Sequence, residues 1–544
     1  LAAENQYTMF VSVKAYIRSL LVTGCLLITL HLGAQFAQQP PFLISIEPVP
    51  TVNAAAGFHS FAFAQIGPRW LVVGGRTNGL HGLNANDPFP TEFANNNIVV
   101  IDTTTWQIYT SNLSLLPKPV ADPLRSTNME YIQHGDYLYM VGGYGRDSVL
   151  NRFVTFPVIS RIRVDSMMDA VVNNTSIQPY IKQVSDTNLR ICGGELHYFD
   201  NRFYLVFGHD FNGRYTNPFA PIYTQVYSNS IKKFTIDEVA GSLQINNYSA
   251  VTDTNNFHRR DLNVLPLIQP NGAEALMAYA GVFQKTHDFP YFEPVFIDNS
   301  SYSVLSYTQV MSHYNCASLP VYDSITKKMH TVFFGGISFN DYDPSNNSIT
   351  QDTLVPFVSD VTCFTLKPGN VCEEAVMPIQ LPGLLGSNTK FVVNTNADWY
   401  ANGVMNLNSL SGRTLAGYLF GGIRADSPNN GSLSVANDTV YRIIIEPDST
   451  VSLKKIPEEF SFLDVFPNPA ASKIYIRFQL KEVKDLSFSI YTMNGAKVKE
   501  IARQKYKKGT NNLAMDLEGL LPGMYFIQCI SGSSVITKKI VVNP

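Results

Sequence analysis

A strand rich in β-branched and aromatic residues, ending in Gly-Gly or a remnant of it, recurs six times across about 400 residues of this 544-residue chain. Trp70-Leu-Val-Val-Gly74-Gly75 leads through a variable loop to a second strand, Ile98-Val-Val-Ile-Asp102. Tyr137 to Gly142-Gly143 leads to Val158–Asp165, Phe203 to Gly208 leads to Ile231–Asp237, and Ala275 to Gly281 leads to Val295–Asp298. Thr331 to Gly335-Gly336 leads to Val361–Thr365, and Leu415 to Gly421-Gly422 leads to Thr439–Ile445. A short twisted sheet cannot bury both of its faces alone, but a set of them does so when each packs on the next around an axis. A glycine at the strand end permits positive φ and close packing where the loop departs.

The diglycine, the aspartate closing the following strand and a Trp beyond it (Asp102 and Trp106 in the first copy) resemble the kelch repeat. The resemblance implies an all-β chain whose residues 40–448 form a six-bladed kelch-like β-propeller, with Gly74, Gly75, Gly142, Gly143, Gly208, Gly281, Gly335, Gly336, Gly421 and Gly422 as its repeat glycines. The third and fourth copies keep one glycine each and rest on spacing. Successive glycines lie about 55 to 85 residues apart, beyond the ~50 of kelch. The excess falls in loops rich in Asn, Pro, Asp and Tyr, so one face is expected to carry long loops. Leu43-Ile-Ser-Ile-Glu47 is expected to complete the last blade.

The texture changes near Leu463. From there to the end the chain carries a net charge of +6, leaving −9 on the rest of a chain whose total is −3. Lys473–Leu480 alternates like a half-buried strand, Asn494-Gly495 marks a hairpin, and turns recur about every ten residues, so 463–544 is expected to be a small immunoglobulin-like β-sandwich after a linker, 449–462. Pro467-Asn468-Pro469, Asn494-Gly495, Asp516-Leu517, Gly523 with Tyr525, and the Lys-rich terminal strand around Lys538 resemble the type A sorting domain of the type IX secretion system of Bacteroidetes. That resemblance implies type IX secretion machinery as partner, passage across the outer membrane, and often removal of the domain with attachment of the body to surface lipopolysaccharide. The plainer alternative is an immunoglobulin-like accessory domain.

Residues 1–38 read as a secretory signal peptide with Met9 as the start. Lys14 and Arg18 precede an apolar stretch, Ser19–Leu32, and small residues at Gly33-Ala34 or Ala37 offer a cleavage site. Val22-Thr23-Gly24-Cys25 also resembles a lipobox, although the apolar run continues past Cys25. No other run of about 18 apolar residues exists, so no membrane span is expected in the mature chain. An exported chain can form disulfides, and Cys363 and Cys372 are close enough in sequence to clip one loop. No Cys/His spacing suggests zinc, and the slight negative charge gives no case for nucleic acid.

No HExxH, P-loop, Gly-x-Ser-x-Gly or dinucleotide fingerprint occurs, so no catalytic residue, metal or cofactor is assigned. Two sets of candidate ligand-binding residues stand out. Arg76, Arg146, Arg214, Lys285 and Arg424 follow the repeat glycines and would ring a channel mouth to attract an anion such as a carboxylated sugar, or else are solvated loop charges. His59, Glu130, Glu195, Arg259 and His313, with Asn128, Arg260, Asn315 and Asp398, open the expected inner strands and would converge on the channel, or else line it because water fills it. The function these residues favour is a surface or secreted binding protein with a glycan or protein ligand. The alternatives are a carbohydrate-active enzyme of the sialate mutarotase-like kelch kind and a structural or adhesive surface protein.

Overall fold

The computed structural model describes residues 39–49, 57–81, 88–214, 222–343, 348–448, 460–492, 496–531 and 534–543. The expected signal segment, residues 449–459 of the linker and the Asn494-Gly495 turn lie outside the described residues. The chain divides into two compact units, Leu1–Pro447 and Asp448–Pro544.

Among the described residues the first unit has six main sheets, antiparallel apart from one short parallel pair at the edge of the fifth, taken in chain order. The innermost strands are Ala62–Ile66, Glu130–His134, Glu195–Phe199, Asn263–Ile268, Ala317–Asp323 and Lys390–Val393. The first five each pair with the next strand in sequence, and Lys390–Val393 pairs with Thr414–Phe420 across the short strand Met405–Asn406; these second strands are the glycine-ended segments of the repeat. The sixth sheet is completed by the N-terminal strand Phe42–Pro48, which pairs with Tyr441–Pro447 so that Ile44 faces Ile445. The two ends of the unit are thus joined in one ladder.

Strand alternation makes the packing cyclic. In Trp70-Leu-Val-Val, Leu71 and Val73 share a cluster with Leu138 and Met140 of the second sheet. Trp70 and Val72 point the other way and share a cluster with Val392 and Phe420 of the sixth. Further clusters join second to third sheet (Val141 with Leu205), third to fourth (Val206 with Ala278), fourth to fifth (Met277 with Phe333) and fifth to sixth (Phe334 with Leu419). Each buried aliphatic side chain contributes roughly 1.5–3 kcal/mol, so each interface stabilises both sheets it joins.

The glycines lock neighbouring sheets together. Gly142 has φ +66°, and a Cβ there would lie 1.9 Å from the carbonyl oxygen of Ile191, at the entry to the next sheet. Gly143 N–H donates to that same carbonyl at 2.8 Å, and Gly75, Gly208 and Gly422 make the equivalent bond to Ser126, Arg259 and Phe58. In the third and fourth copies the surviving glycine is the second of the pair, and Phe207 (φ 59°) and Ala280 (φ 44°) hold the left-handed conformation of the first.

A second set of backbone bonds circles the axis. Asn128 N–H donates to Ser60 O (3.1 Å), Gly193 to Asn128 (3.0 Å), Asp261 to Gly193 (2.7 Å), Asn315 to Asp261 (3.2 Å) and Asn388 to Asn315 (2.6 Å). Ser60 Oγ returns to Asn388 Oδ1 at 3.0 Å. One residue from the entry to each of these sheets therefore takes part in a closed belt.

Three expectations are corrected. Val158–Asp165 is not one strand: Val158–Arg163 is followed by a helix, Val164–Val172, whose Met167 and Met168 pack into the cluster shared by the first two sheets. Asp398 does not open an inner strand; it sits in a turn, accepting from Asn406 Nδ2 at 2.8 Å, and Asn388 leads into Lys390–Val393. Cys363 and Cys372 are free thiols, as are Cys192 and Cys316. They occupy adjacent strands, but Cys363 faces Ala375 and Cys372 faces Leu366, a register that keeps them apart.

The second unit has two antiparallel sheets sharing one core. Strands Phe460–Phe466, Lys473–Leu480 and Gly509–Asp516 form one; Lys497–Tyr506, Lys484–Thr492, Gly523–Ser531 and Ser534–Val542 form the other. Ile474, Ile476 and Phe478 of the first meet Phe488, Ile490 and Ile527 of the second.

Candidate functional site

The inserts between the second and third strands of the sheets carry extra two-stranded hairpins. Tyr144–Asp147 pairs with Arg152–Thr155, His209–Gly213 with Tyr223–Tyr227, and Asn340–Asp343 with Ser348–Gln351. The first two of these hairpins and the segment after Gly75 line a recess that also takes in Ser60, Asn128 and Asn388 of the belt. It is small, about 60 Å³, so it admits a terminal group and not a chain. Phe89, Tyr144 and Phe211 form one wall, with ring centroids 4.9 and 5.2 Å apart in series. His59, His209, Tyr314, Asn128 and Asn388 supply polar groups.

Burial controls the charge of this recess. His59 is held down to about 3, first by burial and then by Arg76 and His81. His81 is held down to about 4, by burial and then by Arg260 and Arg76, and His209 lies well below its usual value for the same leading reason. His209 Nδ1 lies 2.7 Å from Gln225 Nε2 and 3.1 Å from Arg260 Nη1, so it accepts and the ring proton sits on Nε2. Three neutral imidazoles thus face the recess at neutral pH, with Arg76 as the cation on its wall and Arg260 behind His209. Asp261 lies behind them. It accepts from Tyr314 OH at 2.8 Å and from Asn128 Nδ2 at 3.3 Å, and pairs with Arg260 Nε at 3.3 Å. Burial raises its carboxyl, opposed by Arg260 and Tyr314.

The basic residues after the glycines do not share one environment. Arg76 is buried, donates to Asn78 Oδ1 and Pro90 O, and lies 3.9 Å over the Phe89 ring. Arg214 lies 4.5 Å over Phe153. Arg146 is exposed and donates to Asn151 at 2.7 Å. Lys285 and Arg424 are exposed. Arg76 alone among the five lines the central recess.

The strand-opening set also divides. His59 lines the recess. Arg259 is fully buried and donates to the carbonyls of Asn256, Ala280 and Glu293, where it supports the left-handed Ala280. His313 is buried between Gly335 O (2.8 Å) and Thr362 Oγ1 (2.5 Å). Glu130 accepts from Gly194 N–H at 2.7 Å, tying the second sheet to the third, and burial lifts it to about 8. Glu195 lines a wider cavity with Tyr131, His197 and Lys390; burial lifts it to about 7 against the pull of Lys390. His81, His209, Asp261, Tyr314 and Asn388 were not singled out in the sequence. Asp261 and Tyr314 adjoin candidates and His209 follows a repeat glycine, but only the three-dimensional arrangement distinguishes them. Among the described residues no group of three or more His, Cys, Asp or Glu is placed to hold a metal.

In the second unit the opening loop is stitched to the terminal strand. Asn468, between Pro467 and Pro469, donates from Nδ2 to Lys539 O and accepts from Val541 N–H, both at 2.8 Å. Asp516 Oδ1 accepts from Glu518 N–H, Leu517 is buried, and Tyr525 OH donates to Leu521 O. Gly523 faces Val542 and Lys538 faces Ile527 across the final strand pair.

Residues 464–543 match the secretion system C-terminal sorting domain. That match implies export, contact with secretion machinery, and a secreted or outer-surface location. No helix among the described residues is long and apolar enough to cross a membrane. No curated protein matches the chain in sequence. Among solved structures, that of YjhT is 10% identical, with a TM-score of 0.41 over 71% of this chain and 94% of its own. PorZ, described as an essential bacterial surface component of the type-IX secretion system of Porphyromonas gingivalis, is 10% identical, with a TM-score of 0.15 over 89% of this chain and 75% of its own. Both likenesses are too distant to bear on fold or function.

Proposed function

We propose that this is an exported binding protein whose first unit is a closed six-bladed, kelch-type propeller and whose loop-bearing channel mouth holds the terminal sugar of a glycan. A signal peptide within residues 1–38 starts its export, and an immunoglobulin-like sorting sandwich passes it to the type IX machinery. The observation carrying the reading is the recess itself. An aromatic wall of Phe89, Tyr144 and Phe211 stands beside neutral imidazoles and the amides of Asn128 and Asn388. A ring face for stacking beside uncharged donors and acceptors suits a polyol. The cyclic sheet packing and the shared N- and C-terminal ladder support the closed propeller.

Asp261 supports a second reading. A buried carboxylate held by Tyr314 and Arg260 beside the recess is a group that can trade a proton with a sugar hydroxyl through Tyr314, which would make the protein a carbohydrate-active enzyme. A glycan array of the full chain, followed by incubation of any retained glycan, separates the two. Retention that falls about tenfold in Phe211→Ala, with the glycan recovered unchanged, supports binding. Conversion of the glycan, lost in Tyr314→Phe, supports catalysis. Retention unchanged in Phe211→Ala would reject the recess as the site.

A further inference from the structure

A second cavity, about 150 Å³, lies beside the central recess, between the insert of the first sheet and the loops of the second. We propose that it is an anion subsite for a compact oxyanion: a sulfate, phosphate or carboxylate group. Three guanidinium groups line it, those of Arg76, Arg125 and Arg146. Asp122 is the one acid on its wall among the described residues, and its oxygens are already engaged. Oδ1 pairs with Arg125 Nη1 at 3.2 Å, and Oδ2 accepts from Ser148 N–H (2.8 Å) and Oγ (2.7 Å). The cavity wall therefore carries a formal charge of +2.

Arg125 gives the sharper indication. Its Nε is buried with no hydrogen-bond partner among the described residues. A buried N–H left unpaired is costly, and the guanidinium that carries it lines the cavity, where an oxyanion would meet its charge. Arg146 reaches the cavity from the exposed side, fixed by Asn151. Arg76 contributes charge through its stack on Phe89. Arg214, Lys285 and Arg424 lie outside this cavity.

Position extends the inference. Arg76, Phe89, Thr127 and Tyr144 line both cavities, so the Arg76–Phe89 stack is the partition between them. An anion in the side cavity would sit one side-chain layer from a group in the central recess. That layout suits an acidic substituent carried next to a neutral ring, although the anion subsite does not depend on the central recess binding anything.

The test is calorimetric titration of the full chain at low salt with sodium sulfate, sodium phosphate and glucuronic acid, and with a neutral monosaccharide in parallel. Arg146→Gln and Arg125→Gln should each weaken oxyanion binding about tenfold or more, while Arg424→Gln, the same charge change outside the cavity, leaves it intact. Arg146 is exposed, so its variant keeps the test valid should loss of the Arg125–Asp122 pair disturb folding. Tighter binding of glucuronic acid than of either inorganic ion assigns the site to a sugar-borne acid; the reverse order assigns it to a free ion. Absence of oxyanion binding, or equal weakening in Arg424→Gln, overturns the proposal. Absence of neutral-sugar binding alone counts against the central recess and leaves the anion subsite standing.

Discussion

Glu130 should make the first unit lose stability as pH rises through neutrality. It opens the inner strand of the second sheet, is 1% exposed, and accepts one hydrogen bond, from Gly194. Its other oxygen has no partner among the described residues. Burial lifts its carboxyl from 4.5 to about 8, partly offset by the Gly194 bond. Between those values the folded chain holds a proton that the unfolded chain has released, so stability falls with rising pH across this window and levels off above it. At about 1.36 kcal/mol per pKa unit, the whole window corresponds to roughly 5 kcal/mol, and the part between pH 6 and 9 to about 3 kcal/mol.

Glu130→Gln keeps an oxygen for Gly194 and cannot ionise. Its extra amide hydrogens impose a penalty of about 1–3 kcal/mol that is independent of pH. Urea unfolding of both proteins at steps from pH 6 to 9 is the assay. The variant should start less stable or equal and lose about 3 kcal/mol less than the parent over the range. Glu374, lifted to about 8 by burial, and Glu195, lifted to about 7, keep a residual slope in both proteins. The buried histidines act on the other side: His59, His197, His313 and His330 fall to between about 3 and 4, so their contribution is lost as pH drops below 6.5. Parallel curves for parent and Glu130→Gln would refute the assignment of the alkaline arm to this carboxyl.

Two further substitutions probe closure of the ring. Gly142→Ala should cost more than about 3 kcal/mol, because left-handed strain of 1–2 kcal/mol adds to a clash with Ile191 O, whereas Gly135→Ala, at φ +56° in open space, should cost only the strain. Phe42→Ala should cost about 3–5 kcal/mol in the same urea assay, since Phe42 is 1% exposed and packs with the fifth and sixth sheets. A cost near zero would mean that the N-terminal strand merely decorates the sixth sheet.

Much of the architecture was legible because it depends on backbone geometry. A glycine pair after an apolar strand marks where one sheet meets the entry of the next, and that contact tolerates no Cβ at Gly142 or Gly421. The weak third and fourth copies were harder to read. Phe207 and Ala280 adopt a left-handed conformation that propensity does not anticipate, and Gly208 still makes its lock to Arg259 O. The site was less legible. Arg76, Arg146 and Arg424 each follow a repeat glycine within three residues, yet one is buried on an aromatic ring, one borders the side cavity and one is solvent-facing. Insert length and path decide this, and no local pattern encodes them. Arg125 follows a short helix in a connecting segment, and its role appears only when two inserts are brought together.

The division between backbone locks and variable inserts explains where function can reside. The glycine bonds and all but one of the belt bonds use main-chain atoms, the exception being Ser60 Oγ to Asn388 Oδ1, so they fix the ring of sheet entries while constraining few side chains beyond size. Inserts rooted beside that rigid neck are then free to differ. The first three have built one continuous aromatic series, Phe89 to Tyr144 to Phe211 to Tyr223, with successive centroids 4.9 to 5.2 Å apart. Arg76 stacks at its first member and Arg260 reaches toward the histidine that precedes Phe211 by two residues. A charge placed at either end acts on a wall whose members cannot move independently. Ligand selectivity should therefore respond to changes in Phe89 and Tyr144 together, and a double substitution there should deviate from the sum of the two single effects.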